Sequence, residues 1–355
     1  MKAAVLRALG SPLTIENVPE PVLGTGEVIV DVVASRMLAY AGDVYSGQRR
    51  YLLELPIVPG AGGVGRVRAV GPDATRLSVG DWVSCDPTIR SRDDTISPDI
   101  ILQGLTAGSE QALRLQRYYH DGAFAEQVRM PTENVSRIGE IDRADAGRWC
   151  ALGTMLVPYG GLLAGRLQAG ETLVVNGATG TFGSAGVAVA IAMGAARVIA
   201  TGRNEATLAD LERRFGTQVR GVKMSGVEDD DRRQMQQAAG APIDCVLDLL
   251  PPVASPSWAR AAMLSVRPYG RVVLMGGIGT DVPLPYAWMM RNCIEVRGQW
   301  MYPRDATQRL VAMIRARLIR LEEYTVDEFG LDDINKAVAH AASHSGPFRM
   351  TVIRP

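Results

Sequence analysis

The first 150 residues carry short apolar runs of alternating or β-branched residues, separated by glycine and proline. Clear examples are Glu27–Val33, Gly63–Val70, Trp82–Cys85 and Phe124–Met130. Alternation with a period of two, broken by turn residues, is typical of strands that are buried on one face. We therefore predict a strand-rich, partly closed β domain over residues 1–150.

After residue 150 the pattern changes to buried strands that alternate with helices. The predicted strands are Glu171–Asn176, Arg197–Thr201, Asp244–Leu250 and Arg271–Met275, and the predicted helices are Gly183–Met193 and Glu205–Phe215. This alternation predicts a parallel sheet with crossover helices, a doubly wound α/β domain over residues 151–291. Residues 292–355 return to a mixed pattern, with a helix at Asp305–Arg317 and a strand near Met350–Ile353. We predict that they rejoin the β domain.

Composition narrows the class of partner. The chain has 355 residues with 38 basic and 38 acidic side chains, and this charge balance argues against a nucleic-acid partner. No apolar stretch reaches the roughly 20 residues that a bilayer requires, and Met1–Leu6 does not begin a signal peptide. We therefore expect a cytoplasmic protein that acts on a small molecule and contacts no membrane.

Cysteine and histidine are scarce and scattered. The four cysteines lie far apart and form no C-x-x-C pair, and of the three histidines only His340 and His344 are close together in the sequence. This spacing predicts neither a disulfide framework nor a dedicated zinc site of cysteine and histidine. We therefore assign no metal-ligating residue in this sequence.

The sharpest motif is a glycine-rich loop between the first predicted strand of the α/β domain and the helix that follows. It contains Gly177, Gly180 and Gly183 at intervals of three. Small residues let the backbone approach a pyrophosphate, and the helix N-terminus offers N–H donors and the positive end of the helix dipole. We predict that the loop residues Thr179, Gly180, Thr181, Phe182 and Gly183 bind a dinucleotide. A tight turn without a ligand is the alternative.

The end of the second strand predicts which dinucleotide binds. The chain reads Thr201-Gly202-Arg203-Asn204, and the first acidic residue is Glu205. Arg203 can bind a 2′-phosphate with two hydrogen bonds, while Thr201 and Asn204 add neutral hydrogen bonds. We predict that residues 201–204 bind the adenosine end of NADP(H) in preference to NAD(H). The alternative is that Arg203 is one surface arginine in an arginine-rich chain.

The order of these features resembles the medium-chain dehydrogenase/reductase superfamily over essentially the whole chain. The matching segments are Met1–Leu6, Pro21–Val30, Leu55–Gly60, Gly65–Gly71, Val79–Val83, Gly122–Glu126 and the glycine loop. The resemblance implies a GroES-like catalytic domain, a Rossmann domain with a cleft between the two, and a homodimer. It also implies that the backbone of Gly276, Gly277 and Ile278 meets the nicotinamide. We interpret the aromatic and Met-rich stretch from Trp288 to Tyr302 first as core or dimer contact, with a share in the substrate pocket as the alternative.

The chain departs from the zinc enzymes of this superfamily at their metal positions. Where those enzymes have cysteine, Gly-His-Glu and cysteine, this chain has Leu38, Gly60-Ala61-Gly62 and Gly153. None of these side chains binds a metal, and the lobe near Asp86–Asp121 has no cysteine beyond Cys85 at its edge. The resemblance is therefore to the zinc-free branch, which includes quinone oxidoreductases and enone reductases, although the Asn-rich loop of quinone oxidoreductases is missing.

Without a metal to hold an alkoxide, conjugate reduction is the less demanding chemistry. Hydride transfer to a conjugated carbon moves charge to an enolate oxygen, which hydrogen-bond donors stabilise. We therefore predict NADPH-dependent reduction of an enone, a quinone or a related carbonyl compound, with Tyr40 as the candidate proton donor. The alternatives are a packed Tyr40, a metal-free alcohol/ketone oxidoreductase, and a non-catalytic NADPH-binding protein with a regulatory or structural role.

Overall fold

A computed structural model describes all residues 1–355. The strands are β1 Lys2–Val5, β2 Thr14–Asn17, β3 Glu27–Met37, β4 Gly63–Val70, β5 Trp82–Cys85, β6 Thr88–Arg90, β7 Ile100–Leu102, β8 Thr106–Ala107, β9 Gln127–Pro131, β10 Val135–Arg137, β11 Thr172–Asn176, β12 Arg197–Gly202, β13 Val219–Lys223, β14 Cys245–Asp248, β15 Arg271–Leu274, β16 Glu295–Gly298, β17 Thr325–Gly330 and β18 Arg349–Arg354. The helices are α1 Ala41–Tyr45, α2 Leu113–Tyr118, α3 Ala146–Trp149, α4 Ala151–Ala164, α5 Thr181–Ala192, α6 Glu205–Phe215, α7 Glu228–Ala239, α8 Pro256–Met263, α9 Tyr286–Asn292, α10 Ala306–Arg315 and α11 Ile334–His344.

The β domain is built around a seven-stranded sheet. Its strand order is β10-β5-β4-β3-β18-β17, and β9 also pairs with β3. Strand β3 is the longest, and its 11 residues are almost all buried because it lies inside the sheet. Strand β18 lies antiparallel beside β3, with Thr351 opposite Met37, so the end of the chain returns to the sheet formed by its beginning.

The second domain is a six-stranded parallel sheet with the order β13-β12-β11-β14-β15-β16. All its strand pairs are parallel. Its central strand β11 is buried along its whole length, as expected where helices cover both faces. The order reverses direction between β11 and β14, which places a crevice at the carboxyl ends of these strands. The predicted α/β class, a β-rich domain with a doubly wound Rossmann domain, is confirmed.

The Rossmann sheet extends further along the chain than predicted. Its last strand, β16, pairs with β15 after residue 291, where we predicted from sequence that this domain ends. The sequence does not signal β16 because it is an exposed edge strand with the residues Glu-Val-Arg-Gly, and an edge strand needs no continuous apolar run. Helix α5 also begins earlier than predicted, at Thr181, because Gly180 takes the N-cap position.

One apolar cluster joins the two domains. It contains Leu152 and Leu156 of α4, Leu310 of α10, and Met350 and Val352 of β18, all at most 3% exposed. Close packing of this kind resists changes of relative position, because any opening exposes apolar surface to water. The cluster therefore fixes the two walls of the cleft that lies between the domains.

The helices are short. The longest, α4, has 14 residues and contains Pro158. No helix combines the length and the apolar character that crossing a membrane requires.

Candidate active site

A cleft of about 550 Å³ lies between the two domains. One wall follows the carboxyl ends of β11, β12 and β15, which is where open parallel sheets bind ligands. That wall includes the residues Asn176, Gly177, Thr179–Gly183, Thr201–Arg203, Gly276 and Gly277. The opposite wall includes Arg36, Tyr40, Arg49, Tyr51, Trp300, Met301 and Arg349. The cleft is thus shared by both domains.

The glycine loop has the shape that a phosphate requires. Gly177 has a φ of +85°, which side chains adopt only with strain. A Cβ added to Gly183 would lie 2.1 Å from the carbonyl oxygen of Gly177, so only glycine allows the loop to fold against the start of α5. No side chain caps the N-terminus of α5, which leaves its first N–H groups available to an anion. All five residues predicted here, Thr179–Gly183, line the cleft.

The end of β12 presents an arginine to the cleft. Thr201, Gly202 and Arg203 line the cleft as predicted from sequence. The exposed guanidinium of Arg203 lies over the ring of Trp258, 5.2 Å from its centre, which holds the side chain beside the cleft. The carboxylate of Glu205 lies 2.6 Å from the ammonium of Lys223. That carboxylate is therefore partly neutralised next to Arg203.

Two of the residues predicted for the coenzyme lie outside the cleft lining. The side-chain oxygen of Asn204 accepts a hydrogen bond of 3.1 Å from the N–H of Thr207 and so caps helix α6. The side-chain oxygen of Asn204 thus serves as a helix cap, a role that this residue type commonly takes, and the hydrogen bond that we expected Asn204 to offer a nucleotide stays a prediction. Ile278 packs against the buried cluster around Leu250, while Gly276 and Gly277 line the cleft.

A chain of buried polar side chains underlies the crevice, and we did not predict it from sequence. The hydroxyl of Thr201 donates to Oδ1 of Asn176 at 2.7 Å, and Nδ2 of Asn176 donates to Oδ1 of Asp248 at 2.8 Å. The three residues stand side by side at the ends of β12, β11 and β14. Burial raises the pKa of Asp248 to about 6. The sequence does carry a signal for this chain of side chains, because a polar residue ends each of the otherwise apolar strands β11 and β14.

This raised pKa predicts a pH dependence of stability. The pKa of Asp248 is about 6 in the folded protein and about 3.9 in an unfolded chain. The fold therefore favours the protonated carboxyl, and this contribution is fully present below about pH 4 and is lost as the pH rises through about 6. We expect the free energy of unfolding to change less with pH in Asp248→Asn than in the wild type. Between about pH 4 and pH 6 and above, this difference reaches about 2–3 kcal/mol. Urea unfolding at several pH values measures it, and parallel profiles would contradict it.

Tyr40 stands where the cleft meets a smaller inner chamber. The residue immediately precedes α1, and its partly buried ring packs edge-on against Tyr51 at 6.3 Å. The guanidinium of Arg49 lies 4.0 Å from the centre of the Tyr40 ring. Burial raises the pKa of Tyr40, so its hydroxyl is protonated at neutral pH and gives up its proton only to a stronger base such as an alkoxide. The candidate proton donor therefore lies in the cleft.

The inner chamber has a volume of about 70 Å³ and shares Arg36, Leu38, Tyr40 and Phe182 with the cleft. The four residues that stand at the superfamily's metal positions, Leu38, Ala61, Gly62 and Gly153, all line it. Their side chains offer no ligand atom.

The other side chains of the chamber do not replace the missing ligands. Cys85 and Cys150 are buried, and burial raises the pKa of each thiol to about 12, which keeps both protonated. Asp86 accepts hydrogen bonds from the hydroxyl of Tyr302 at 2.7 Å and from the N–H of Thr88 at 2.8 Å. No group of three or more His, Cys, Asp or Glu side chains could hold a metal ion anywhere in the chain. The residues present do not fit a metal.

Three arginines of the opposite wall were also not predicted from sequence. Arg36, Arg49 and Arg349 line the cleft together with Arg203, and no Asp or Glu lines it. In a chain with equal numbers of acidic and basic residues, this arrangement concentrates positive charge where an anionic ligand binds. No local sequence pattern distinguished these arginines from the many on the surface.

Comparisons with known proteins agree with this architecture. Residues 24–140 match the family model described as the alcohol dehydrogenase GroES-like domain, and residues 182–316 match the model described as zinc-binding dehydrogenase. The chain is 25% identical over 362 residues to the L-threonine 3-dehydrogenase of Streptomyces coelicolor, which covers 98% of this chain and 97% of the relative. It is 25% identical over 371 residues to the NAD-dependent alcohol dehydrogenase of Sulfurisphaera tokodaii, covering 99% and 100%.

A solved structure supports the same fold. The alcohol dehydrogenase of Thermus sp. ATN1 superposes with a TM-score of 0.82 at 21% identity and covers 100% of both chains, a likeness that shows the fold alone. These relatives are alcohol and threonine dehydrogenases, so the predicted likeness to zinc-free quinone oxidoreductases is not confirmed. The two family models together cover most of the sequence and meet the two domains of the structure. The chain belongs to the medium-chain dehydrogenase/reductase superfamily of NAD(P)-dependent oxidoreductases.

Proposed function

We propose that this protein uses NADP(H) to interconvert an alcohol and a carbonyl compound without a metal ion in its active site. The observation that carries the proposal is a glycine loop and cleft suited to a dinucleotide, beside a chamber whose metal positions hold Leu38, Ala61, Gly62 and Gly153. The names of the relatives favour alcohol–carbonyl chemistry over the enone or quinone reduction that we predicted from sequence.

Different residues of the cleft bind the coenzyme and donate the proton. When bound, the coenzyme supplies or accepts the hydride. The loop Thr179–Gly183 and the start of α5 bind its pyrophosphate, and Gly276 and Gly277 leave space for the nicotinamide at the end of β15. In the reductive direction Tyr40, which lines the cleft, donates a proton to the developing alkoxide, a stronger base than the phenolate that remains. The mostly apolar lining of the inner chamber limits the access of water to a substrate bound there.

The choice of NADP(H) rests on charge. Arg203 lies at the end of β12, the only nearby acid, Glu205, is paired with Lys223, and no acid lines the cleft. This arrangement suits a 2′-phosphate and offers no carboxylate to the ribose hydroxyls of NAD(H). The Sulfurisphaera relative is named as NAD-dependent, so the preference of this chain is a property to be measured.

The experiment that tests the proposed function combines metal analysis with turnover. Zinc per chain is measured in the purified protein, and the consumption of NADPH is followed with aldehydes, ketones, enones and quinones before and after dialysis against a chelator. We expect substoichiometric zinc, and turnover of aldehydes or ketones that survives chelation. Stoichiometric zinc with activity lost on chelation would contradict the proposal. Turnover of enones or quinones alone would favour conjugate reduction instead, and tight NADPH binding without any turnover would favour a non-catalytic protein.

Removing the hydroxyl of Tyr40 tests its role as proton donor. We expect Tyr40→Phe to lower kcat for carbonyl reduction by about 100-fold, the usual contribution of a general acid, while NADPH affinity is retained. Tyr45→Phe is the matched control, because Tyr45 is buried in the short helix α1 that follows Tyr40 and lines neither the cleft nor the chamber. Equal kcat values for the two variants would remove Tyr40 from the mechanism.

We also propose that the chain forms a homodimer through the free edge of the Rossmann sheet. Strand β16 has no partner on its outer side, and Tyr286 and Met290 of the preceding helix α9 are 83% and 59% exposed. Elsewhere in the predicted Met-rich stretch, Met301 lines the cleft and Tyr302 is buried. Sedimentation at increasing concentration is expected to give a dimer. Gly298→Pro on β16 is expected to weaken it by removing an N–H of the outer edge, since the N–H groups of Glu295 and Gln299 donate inward to Gly270 and Leu274. A monomer at all concentrations would contradict the proposal.

A further inference from the structure

Arg36 lies at the boundary between the coenzyme cleft and the inner chamber. It is the second last residue of β3, and it lines both cavities together with Leu38, Tyr40 and Phe182. The side chain is partly buried, because it enters the space between the two domains. The guanidinium is therefore a charged group that a molecule in either cavity can reach.

No carboxylate compensates this charge. Many arginines in the structure form an ion pair with Asp or Glu within 4.0 Å, but Arg36 does not. The guanidinium donates a hydrogen bond to the neutral hydroxyl of Thr154, and the ionisable groups facing it are the phenols of Tyr40, Tyr302 and Tyr324 and the thiol of Cys150. Burial lowers the pKa of Arg36, although an arginine stays charged at neutral pH.

In the ligand-free protein the unpaired charge of Arg36 lowers the stability of the fold. A partly buried cation without an anion loses hydration that no other charge replaces. A guanidinium has five N–H donors in a planar fork, and the Thr154 hydroxyl accepts only one hydrogen bond from it. The remaining donors match an oxygen anion in geometry and in charge. A negatively charged ligand would therefore accept hydrogen bonds from the unused donors of Arg36 and balance its positive charge.

The position of the guanidinium relates it to the reaction. A Cβ added to Gly153, one of the residues at the superfamily's metal positions, would lie 3.8 Å from a guanidinium nitrogen of Arg36. The guanidinium also lies 5.6 Å from the centre of the ring of Phe182, in the first turn of α5. The positive charge of Arg36 thus occupies the region between the coenzyme loop and the chamber that has no metal ligands.

We propose that Arg36 binds an oxygen anion of the substrate in this chamber. The proposal rests on the proposed function and assigns the substrate class, a carbonyl compound that presents a negative oxygen to Arg36. A C–H bond of NADPH breaks and its electron pair forms the new C–H bond of the product, which leaves NADP⁺. The π pair of the C=O bond moves to oxygen, that oxygen takes the hydroxyl proton of Tyr40, and water reprotonates the Tyr40 phenolate. Arg36 holds either this developing alkoxide or a separate carboxylate of the substrate, and both offer the same ligand chemistry.

Binding of benzoate to the full-length protein in the presence of NADP⁺ tests the site without turnover. We expect benzoate to raise the melting temperature of the wild-type complex and of the control Arg213→Met, whose side chain is 74% exposed on α6. Arg36→Met is expected to lose this shift, while its NADPH affinity stays within about threefold of the wild type. Its melting temperature without ligands is expected to be equal or higher, because an unpaired buried charge is removed. A merely structural arginine would not give this result.

Kinetics with two aldehydes distinguish the two sources of the anion. If Arg36 holds the developing alkoxide, Arg36→Met lowers kcat about 100-fold with both benzaldehyde and 4-carboxybenzaldehyde. If it holds a carboxylate, KM rises for 4-carboxybenzaldehyde alone. If Arg36→Met does not fold, Arg36→Lys tests the anion site in its place. This variant keeps the positive charge without the planar fork of donors, so we expect it to lose part of its benzoate affinity.

Three results would contradict the proposed anion site. The first is a benzoate-induced rise in melting temperature that Arg36→Met or Arg36→Lys retains in full. The second is no such rise in the wild type together with unchanged kinetics in the Arg36 variants, and the third is a loss of NADPH affinity in these variants as large as their loss of benzoate affinity. The last result would assign Arg36 to the coenzyme. Benzoate binding that depends on Arg36 without turnover of any carbonyl compound would refute the proposed function and leave the anion site in place. The two failures are therefore distinguishable.

Discussion

Replacing Arg203 with alanine is expected to weaken NADPH binding by about 10- to 100-fold and to change NADH binding by no more than about threefold. The range corresponds to the loss of charge-assisted hydrogen bonds to the 2′-phosphate, which contribute about 1.5–3 kcal/mol. NADH lacks this phosphate, so the same substitution removes little from its affinity. Titration of both coenzymes by fluorescence gives the two dissociation constants.

The geometry of β12 explains why this one side chain decides the preference. Gly202 precedes Arg203, and a Cβ at Gly202 would lie 2.3 Å from Cγ2 of Thr179 in the glycine loop. The last residue of β12 therefore has no room for a carboxylate, and Arg203 is the first side chain after this strand that reaches the cleft. Arg213→Ala on helix α6 is the matched control, because it removes an exposed arginine far from the lining. Equal losses for NADPH and NADH in Arg203→Ala would refute the preference.

Adding one methyl group at Gly183 is expected to disable the coenzyme loop. A Cβ there would lie 2.1 Å from the carbonyl oxygen of Gly177, so the loop and the first turn of α5 must separate. We expect Gly183→Ala to lower the free energy of unfolding by about 1–3 kcal/mol. We also expect NADPH affinity to fall by more than about tenfold, because the N–H groups of the loop no longer converge on the pyrophosphate.

Urea unfolding and NADPH titration measure the two effects of Gly183→Ala separately. Gly330→Ala is the matched control, because a Cβ at Gly330 meets no atom within 4 Å and its φ is not in the left-handed region. The control is expected to behave as the wild type in both measurements. Unchanged NADPH binding in Gly183→Ala would show that the loop does not hold the coenzyme.

Local patterns located the cleft wall that the Rossmann domain forms. The strand–loop–helix order located Thr179–Gly183, and the amphipathic period gave helix α6 with its observed bounds, Glu205–Phe215. The capping role of Asn204 had a local signal, since an Asn before the first helical residue is a preferred N-cap. We interpreted it as a ligand because it also followed the strand end where a ribose is expected.

The opposite wall could not be predicted from local patterns. Arg36 meets Thr154 across 118 positions of the chain, and that contact exists only after two domains have packed together. Its neighbours in sequence, Ser35 and Met37, are ordinary buried strand residues. The chain is also rich in arginine, so one more arginine gave no signal. The resemblance to zinc enzymes directed attention to absent ligands, whereas the structure shows the charged group beside those positions.

The pairing of β18 with β3 has a consequence for the order in which the protein is made. Strand β3 is synthesised before the whole Rossmann sheet, and its neighbour β18 is synthesised after that sheet. The part of β3 that pairs with β18, residues 35–37, therefore has no strand partner on this side until β18 has been made, whereas residues 27–31 pair with β9. Because Arg349 and Met350 of β18 also line the cleft, a nascent chain can complete its sheet of parallel strands well before it can form its substrate-facing wall. The complete cleft therefore forms only after β18 has been synthesised.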